Sequence, residues 1–360
     1  MIYGSKMAKI LYGVCGEGLG HASRSRILVN YLKKQNHEVR IVAGGKAYNL
    51  LSKEFDQVYK SEWPMVLYKN NKVQIVHTLL RFIRRTIVGT TKNFFVIRKV
   101  IKEFKPDLLI TDSEPISFYA AFFSKIKRLS IDNPQVLLYR KYKVKFREIP
   151  AWLFLCFVLK ISLFNADKYI IYDYFDEQIN DPKILFLKPL IQEGILKQKP
   201  TYGDHVFVYQ TSISNEYLFE LLKKIDEEFV VYGMNENLTD GNLVYKKFNE
   251  KEFYRDIASA KAVISNGGFT VIGEALYLKK PIFCLPIQHQ FEQILNGRFI
   301  EMLGAGVSHT KYDEKDLKEF FEKIDLYKKN LESYNSGKQE GKLEKIEEEI
   351  IKLLPTKSNK

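Results

Sequence analysis

Apolar residues fall into two alternating patterns along the chain, short continuous runs and longer stretches at helical spacing. Lys9 to Val14 reads as a short buried strand, followed by an amphipathic helix through Ile27, Leu28, Tyr31 and Leu32. Val39 to Ala43, Leu108 to Thr111, Arg128 to Ile131 and Tyr169 to Tyr172 predict further strands, the last closing the N-terminal half. A second series runs through His205 to Tyr209, Phe229 to Tyr232, Val244 to Phe248, Ala262 to Ile264 and Ile282 to Leu285. A helix is expected over Asn215 to Ile225, and a charged helical segment over Asp313 to Leu354. Strands alternating with helices predict an α/β fold. Pro182 to Pro200 has the look of a linker, with a strand-like run at Ile184 to Leu187. The expected organisation is a domain over 1–192, a second over 200–340, and a closing helix over 341–354 with Leu343, Ile346, Ile350 and Leu353 at helical spacing.

Composition adds bounds to that pattern. With 360 residues and 46% hydrophobic content, the chain can bury two substantial cores. Cys15, Cys156 and Cys284 are odd in number and set in apolar runs, so they read as reduced core residues of a cytoplasmic protein. Met1 to Lys9 is short and mixed, unlike a signal peptide. A net charge of +13 calls for an anionic partner: nucleic acid, membrane surface or substrate phosphates.

Two stretches bear on the membrane. Lys69 to Lys105 carries Lys72, Arg81, Arg84, Arg85, Lys92, Arg98, Lys99 and Lys102 against Glu103 alone, interleaved with large apolar residues. That describes either an interfacial helix on anionic lipid, on the inner face of the membrane, or a pair of packing helices with a solvated basic face. Nucleic-acid binding is not expected, because the region lacks both the aromatic motif of an RRM and the GXXG of a KH domain. Trp152 to Leu159 is strongly apolar but too short to span a bilayer, and Lys160 interrupts it. It is a buried helix or a monotopic anchor.

The chemistry concentrates in Ser265 to Asn296. A strand ends in Gly267-Gly268, which lets the backbone approach a ligand, and a helix begins near Thr270. Its free N–H groups suit a diphosphate. Glu274, one turn further, offers a carboxylate to ribose hydroxyls. Gln288, His289, Glu292, Gln293 and Asn296 follow the next strand and suit the hydroxyls of a sugar.

Near the start, Gly16-Glu17-Gly18-Leu19-Gly20-His21 approximates a dinucleotide fingerprint. An NAD site needs an acid ending the next strand, and that strand ends in Gly44-Gly45 instead. Asp112-Ser113-Glu114 sits at the C-terminal end of a strand, where either carboxylate assists a base or caps the following helix. Asp132-Asn133-Pro134-Gln135 forms a similar edge loop. No histidine-cysteine cluster and no Asp-X-Asp pair occurs, so neither a metal nor another cofactor is expected.

The order Gly-Gly, Thr, Glu, Pro, Glu-Gln and Asn resembles the donor-binding half of GT-B nucleotide-sugar glycosyltransferases. The lipid-linked peptidoglycan N-acetylglucosaminyltransferase and the UDP-glucuronosyltransferases are the nearest likenesses. The resemblance implies two Rossmann-like domains facing across a cleft. It gives the diphosphate to Gly268, Phe269 and Thr270, the ribose to Glu274, and the sugar to Glu292 and Gln293; Gly267 and His289 stand beside them as candidates read from the residues themselves. It gives the donor phosphates also to Thr211 or Ser212, and the base to a loop starting at Phe248 that works through its backbone. On the acceptor side, Gly18 and Gly20 line a loop that ends in His21, the expected base, with Glu17 and Asp112 as lesser candidates. Glu17 and Leu19 interrupt the family's run of glycines, and Lys279-Lys280 stand where a glycine usually precedes Pro281.

The implied activity is inverting, metal-independent transfer from a nucleoside-diphosphate sugar, a UDP-sugar above all, to the hydroxyl of a glycan or lipid-linked acceptor. A nucleotide-sugar 2-epimerase and a non-catalytic binding module at a membrane are the alternatives.

Overall fold

The computed structural model describes residues 7–61, 68–69, 72–73, 77, 91–210 and 216–355. Thr211 and Ser212 lie outside these residues, as do Arg81, Arg84 and Arg85. The chain divides into two compact units. One draws its described residues from Met1–Leu67, Ile75–Leu190 and Gly337–Lys360, the other from Tyr68–Gln74 and Ile191–Ser336.

In the first unit β1 (Lys9–Val14), β2 (Glu38–Ala43) and β3 (Val58–Lys60) form one half of a sheet. A short antiparallel pair, β4 (Tyr68–Lys69) with β5 (Lys72–Val73), follows in sequence and belongs to the other unit. The sheet resumes with β6 (Leu108–Asp112), β7 (Lys127–Asp132), β8 (Lys168–Tyr172) and β9 (Ile184–Leu187). Its order is β3-β2-β1-β6-β7-β8-β9, and every pairing is parallel. The central strands are buried at nearly every position, as happens when helices cover both faces.

β9 lies inside the stretch that reads as a linker, so Tyr169–Tyr172 is not the last strand. The run Ile184–Leu187 pairs in parallel with Tyr169–Tyr172 at the sheet's edge. Pro182 precedes it and Pro189 follows it. Prolines just outside an edge strand cost no ladder bond, which is why composition suggests a linker where a strand forms.

The second unit holds β10 (His205–Tyr209), β11 (Glu228–Tyr232), β12 (Leu238–Asp240), β13 (Leu243–Lys246), β14 (Ala262–Ser265), β15 (Ile282–Cys284) and β16 (Gly306–Ser308). The order is β12-β13-β11-β10-β14-β15-β16, parallel except for β12 against β13. Val206, Val208, Phe229, Val231, Ile264 and Phe283 of this sheet pack with Leu317 and Phe320 in one buried cluster. The charged helical segment Asp313 to Leu354 forms three helices: Glu314–Glu322, Ile324–Glu332 and Gln339–Leu353. Gly337, at φ +70°, turns the chain before the last of them.

That last helix belongs to the first unit. It buries Leu343, Ile346 and Ile350, and His37 Nε2 donates to Glu347 Oε1 at 2.8 Å while its Nδ1 accepts from the Ala8 N–H at 3.1 Å. Lys168 pairs with Glu349 at 2.9 Å, and Lys342 Nζ donates to the Pro189 carbonyl at 2.6 Å. Helix Ile149–Ser162, the apolar stretch around Trp152 to Leu159, is not a core helix, since Leu159 alone of its residues is buried. Among the described residues no helix is long and apolar enough to cross a membrane.

Candidate functional site

Both sheets present side chains at the C-terminal ends of their strands, where open α/β sheets bind ligands. In the first unit β1 runs into the glycine loop, and helix Gly20–Lys34 follows. The loop packs hard against the turn after β2. A Cβ on Gly16 would sit 2.6 Å from the Gly44 carbonyl carbon, so Gly44-Gly45 serves close packing rather than a ribose.

His21 stands in the first turn of that helix, and Arg24 and Ser25 share its face. All three converge on Asp112 at the end of β6. His21 Nδ1 lies 2.7 Å from Asp112 Oδ1. Arg24 donates to both carboxylate oxygens, Nε at 2.6 Å and a terminal nitrogen at 2.5 Å, and Ser25 Oγ donates at 3.3 Å. The same terminal nitrogen of Arg24 is 2.7 Å from His21 Nδ1. A proton on Nδ1 lets Asp112 Oδ1 accept from both neighbours. A bare Nδ1 would accept from Arg24 instead, but it would turn its lone pair toward the charged carboxylate and forfeit the bond to it. We therefore assign the proton to Nδ1, which leaves Nε2 as the basic nitrogen of His21.

Asp112 is 1% exposed, and burial pushes its carboxyl up. The Arg24 guanidinium and His21 together outweigh that and hold it below the usual carboxylate range. Asp132, at the end of β7, has the opposite balance. Burial and the charge of Asp112 push its carboxyl up to about 6, although Arg24 opposes them. It accepts from Ser113 Oγ at 3.0 Å and caps the Gln135 N–H at 3.2 Å. Glu114 is spent on the following helix Pro115–Phe123, accepting from the Ile116 and Ser117 N–H groups at 3.2 and 2.7 Å. Of the two carboxylates in that motif, Glu114 is the cap and Asp112 faces the histidine.

In the second unit β14 ends at Ser265, and Gly267 turns the chain at φ +84°. A side chain there would crowd Gln293: a Cβ on Gly267 would lie 3.0 Å from both the Cβ and the carbonyl oxygen of that residue. Asn296 donates to the Gly267 carbonyl at 3.0 Å, and Gln293 Oε1 accepts from the Ile287 N–H at 2.9 Å. The turn and the loop after β15 are thus clamped together. Helix Phe269–Tyr277 starts beyond Gly268 with no side chain capping it, and nothing lies within 4 Å of where a Gly268 Cβ would be. The approach to the helix start at Gly268 is therefore open.

Glu274 is 3% exposed and makes no side-chain hydrogen bond among the described residues. Burial, with the charge of Glu250 added, pushes its carboxyl up to about 8. Tyr209, at the end of β10, feels the Glu274 charge, and its ring meets Phe253 edge-on at 5.6 Å. Half-exposed Phe248 packs on the same Phe253 at 5.4 Å. An aromatic row therefore leads from the expected base loop to Glu274.

The family model for glycosyl transferase family 1 matches residues 8–325. The chain belongs to that family. An uncharacterized glycosyltransferase of Methanosarcina mazei is 28% identical over 339 residues, covering 83% of this chain and 84% of that one. Another, of Methanosarcina acetivorans, is 27% identical over 337 residues with the same coverage. Among solved structures, the glycotransferase of kitacinnamycin superposes with TM-score 0.69 at 12% identity, covering 97% of this chain and 100% of its own. The calicheamicin glycosyltransferase gives 0.64 at 15%, over 97% and 100%. A Polygonum tinctorium UDP-glucosyltransferase gives 0.66 at 13%, over 97% and 99%. The protein is a glycosyltransferase enzyme with the two-domain α/β fold of the GT-B class.

In this glycosyltransferase the expected site residues fall into two groups. His21, Glu17, Gly18, Gly20 and Asp112 gather at the β1 and β6 ends of the first unit, with Gly18 exposed at φ +76°. Gly267, Gly268, Phe269, Thr270, Glu274 and Gln293 gather around the β14 turn of the second. The Phe269 side chain is buried, so that residue can offer a ligand only its backbone. Gln293 is buried and bonded to the Ile287 N–H, Glu292 is partly buried, and His289 is exposed at φ +67°. Thr211 and Ser212 fall outside the described residues.

Sequence reasoning does not assign roles to Arg24, Asp132 or Tyr209. Arg24 has a signal, three positions after His21 on one helix face. Among the described residues no group of three or more His, Cys, Asp or Glu could hold a metal ion.

Proposed function

We propose that the enzyme transfers a sugar, with inversion, from a nucleoside-diphosphate donor, a UDP-sugar first, to an acceptor hydroxyl. The observation that carries the donor side is the start of helix Phe269–Tyr277 beside Gly268, which no side chain caps, with Glu274 buried one turn in and without a hydrogen-bonded partner among the described residues. The N–H groups of a helix's first turn and its positive end suit a diphosphate, and Glu274 suits the ribose diol. Phe248 suits the base, and Gln293 with Glu292 and His289 suits the sugar.

On the acceptor side, His21 Nε2 takes the proton of the attacking hydroxyl while Asp112 holds the ring by its Nδ1–H. The ionised Asp112 stabilises the imidazolium that forms. The oxygen bonds to the anomeric carbon, the bond to the diphosphate breaks, and the leaving group's new charge meets the helix end. That stabilisation takes the place of a divalent ion in this reading, so no metal and no further cofactor is proposed. The apolar and basic surface of the first unit supports a lipid-linked acceptor over a free glycan, and three free thiols suit a reducing, cytoplasmic compartment.

The test is release of nucleoside diphosphate from UDP-, GDP- and dTDP-sugars, with and without membrane lipid extract, in the presence of a chelator. Lipid-dependent release from UDP-sugars that survives chelation is expected. His21→Ala should lower kcat by about a thousandfold with donor affinity unchanged. Chelator-sensitive release, or a His21→Ala enzyme of full activity, would overturn the mechanism. Conversion of the UDP-sugar alone to its epimer would favour the 2-epimerase instead.

A further inference from the structure

The exposed apolar surface of the first unit is concentrated along one ridge. On helix Ile149–Ser162, Leu153, Phe157 and Ile161 are 53%, 62% and 49% exposed. Their spacing of four puts them in one stripe. Phe146 before the helix is 87% exposed, and Phe164 after it is 66% exposed.

The stripe continues onto neighbouring helices. Tyr119 of helix Pro115–Phe123 donates to the Ile161 carbonyl. Arg128 donates to the Asn165 carbonyl at 2.8 Å, and its guanidinium lies 4.8 Å from the ring of exposed Phe122. Phe123 in turn meets Phe94 of helix Thr91–Phe104 edge-on at 5.9 Å, next to exposed Phe95. Continuous apolar surface of this kind on a folded chain marks a place where something docks.

The border of the ridge names the occupant. Between Arg140 and Phe164 the sequence has six basic residues and one acid, Glu148. Lys141, Lys143, Lys145 and Arg147 are all exposed, as are Arg98, Lys99 and Lys102 on the neighbouring helix. A two-fold contact with a second copy would press these cations against their own equivalents, which disfavours it. An anionic bilayer offers acyl chains to the stripe and phosphates to the border.

We propose that helix Ile149–Ser162 lies in the headgroup region of an anionic lipid bilayer, with Leu153, Phe157 and Ile161 in the acyl boundary and the lysines of 141–145 on the phosphates. At 14 residues the helix is too short to span the membrane, and lying flat suits it. Lys160 reaches back to the headgroups along its own methylene chain.

Flotation of the full chain with vesicles tests this, and it needs no nucleotide sugar. Vesicles of equimolar phosphatidylcholine and phosphatidylglycerol should carry the protein up, and phosphatidylcholine alone should not. Raising the salt should weaken binding, and Lys141→Gln or Arg147→Gln should each weaken it about fivefold. Leu153→Ser with Phe157→Ser should abolish it. Both positions are exposed, so an unchanged melting curve checks that this variant is folded. Equal flotation of that variant, flotation on neutral vesicles alone, or none on either would overturn the proposal. So would a dimer that Phe157→Ser disperses while no vesicle binds.

Discussion

Glu274 is the residue where environment and proposed role pull against each other. Its burial favours the neutral acid, while two ribose hydroxyls favour the carboxylate that accepts from them. Donor affinity should therefore rise with pH up to about 8, because donor binding expels the proton. A titration of UDP binding across that range checks it, and Glu274→Gln should bind weakly with no such slope. The same group sets a trend in the free enzyme. A folded-state value raised above the ordinary one near 4.5 means that its contribution is fully present below that value and is lost as pH rises toward about 8. Glu274→Gln should flatten that loss in thermal melts.

Residue-scale chemistry is legible in the sequence where it is local. Gly267, Gly268, Thr270 and Glu274 lie within one turn and one helix, so spacing alone groups them. Asp112 stands out too, but as one of two carboxylates of undecided use. Its commitment to His21 and Arg24 joins residues as much as 91 positions apart and depends on β1 and β6 being neighbours in the sheet. Asp132 enters the same network through β7. No spacing rule reaches that far.

At the scale of elements, the glycine turn after β14 is the least replaceable. Gly267→Ala puts a side chain at φ +84° and against Gln293, so it should cost about 1–2 kcal/mol in stability and remove donor binding. Gly268→Ala, at φ −67° with open space around it, should leave the melting temperature nearly unchanged. Thermal denaturation of the pair separates backbone strain from crowding of the ligand. Strands and helices are legible where apolar periodicity is strong. The run at β9 is legible although flanking prolines give its surroundings the look of a linker, while over Asp313 to Leu354 charge hides the breaks between three helices. Helix Ile149–Ser162 shows a further limit: its composition is that of a core helix, and only the fold reveals which side faces out.

For the molecule as a whole, the first unit is discontinuous in sequence. Helix Gln339–Leu353 supplies Leu343, Ile346 and Ile350 to its core and a partner to buried His37. Each such side chain contributes about 1.5–3 kcal/mol on burial, so removing residues from Gly337 onward should forfeit much of the few kcal/mol that hold a domain folded. Limited proteolysis should then cleave the first unit while the second stays protected.

Lys342 holds the Pro189 carbonyl across 153 positions of chain. Followed in time rather than in space, that bond means the unit begun first is finished last. While a ribosome is still making residues 191–336, the strands from Lys9 to Leu187 already exist but His37 has no Glu347 to bond. The nascent first unit must wait with an uncovered face until the intervening unit is complete, and only then can the last helix close it.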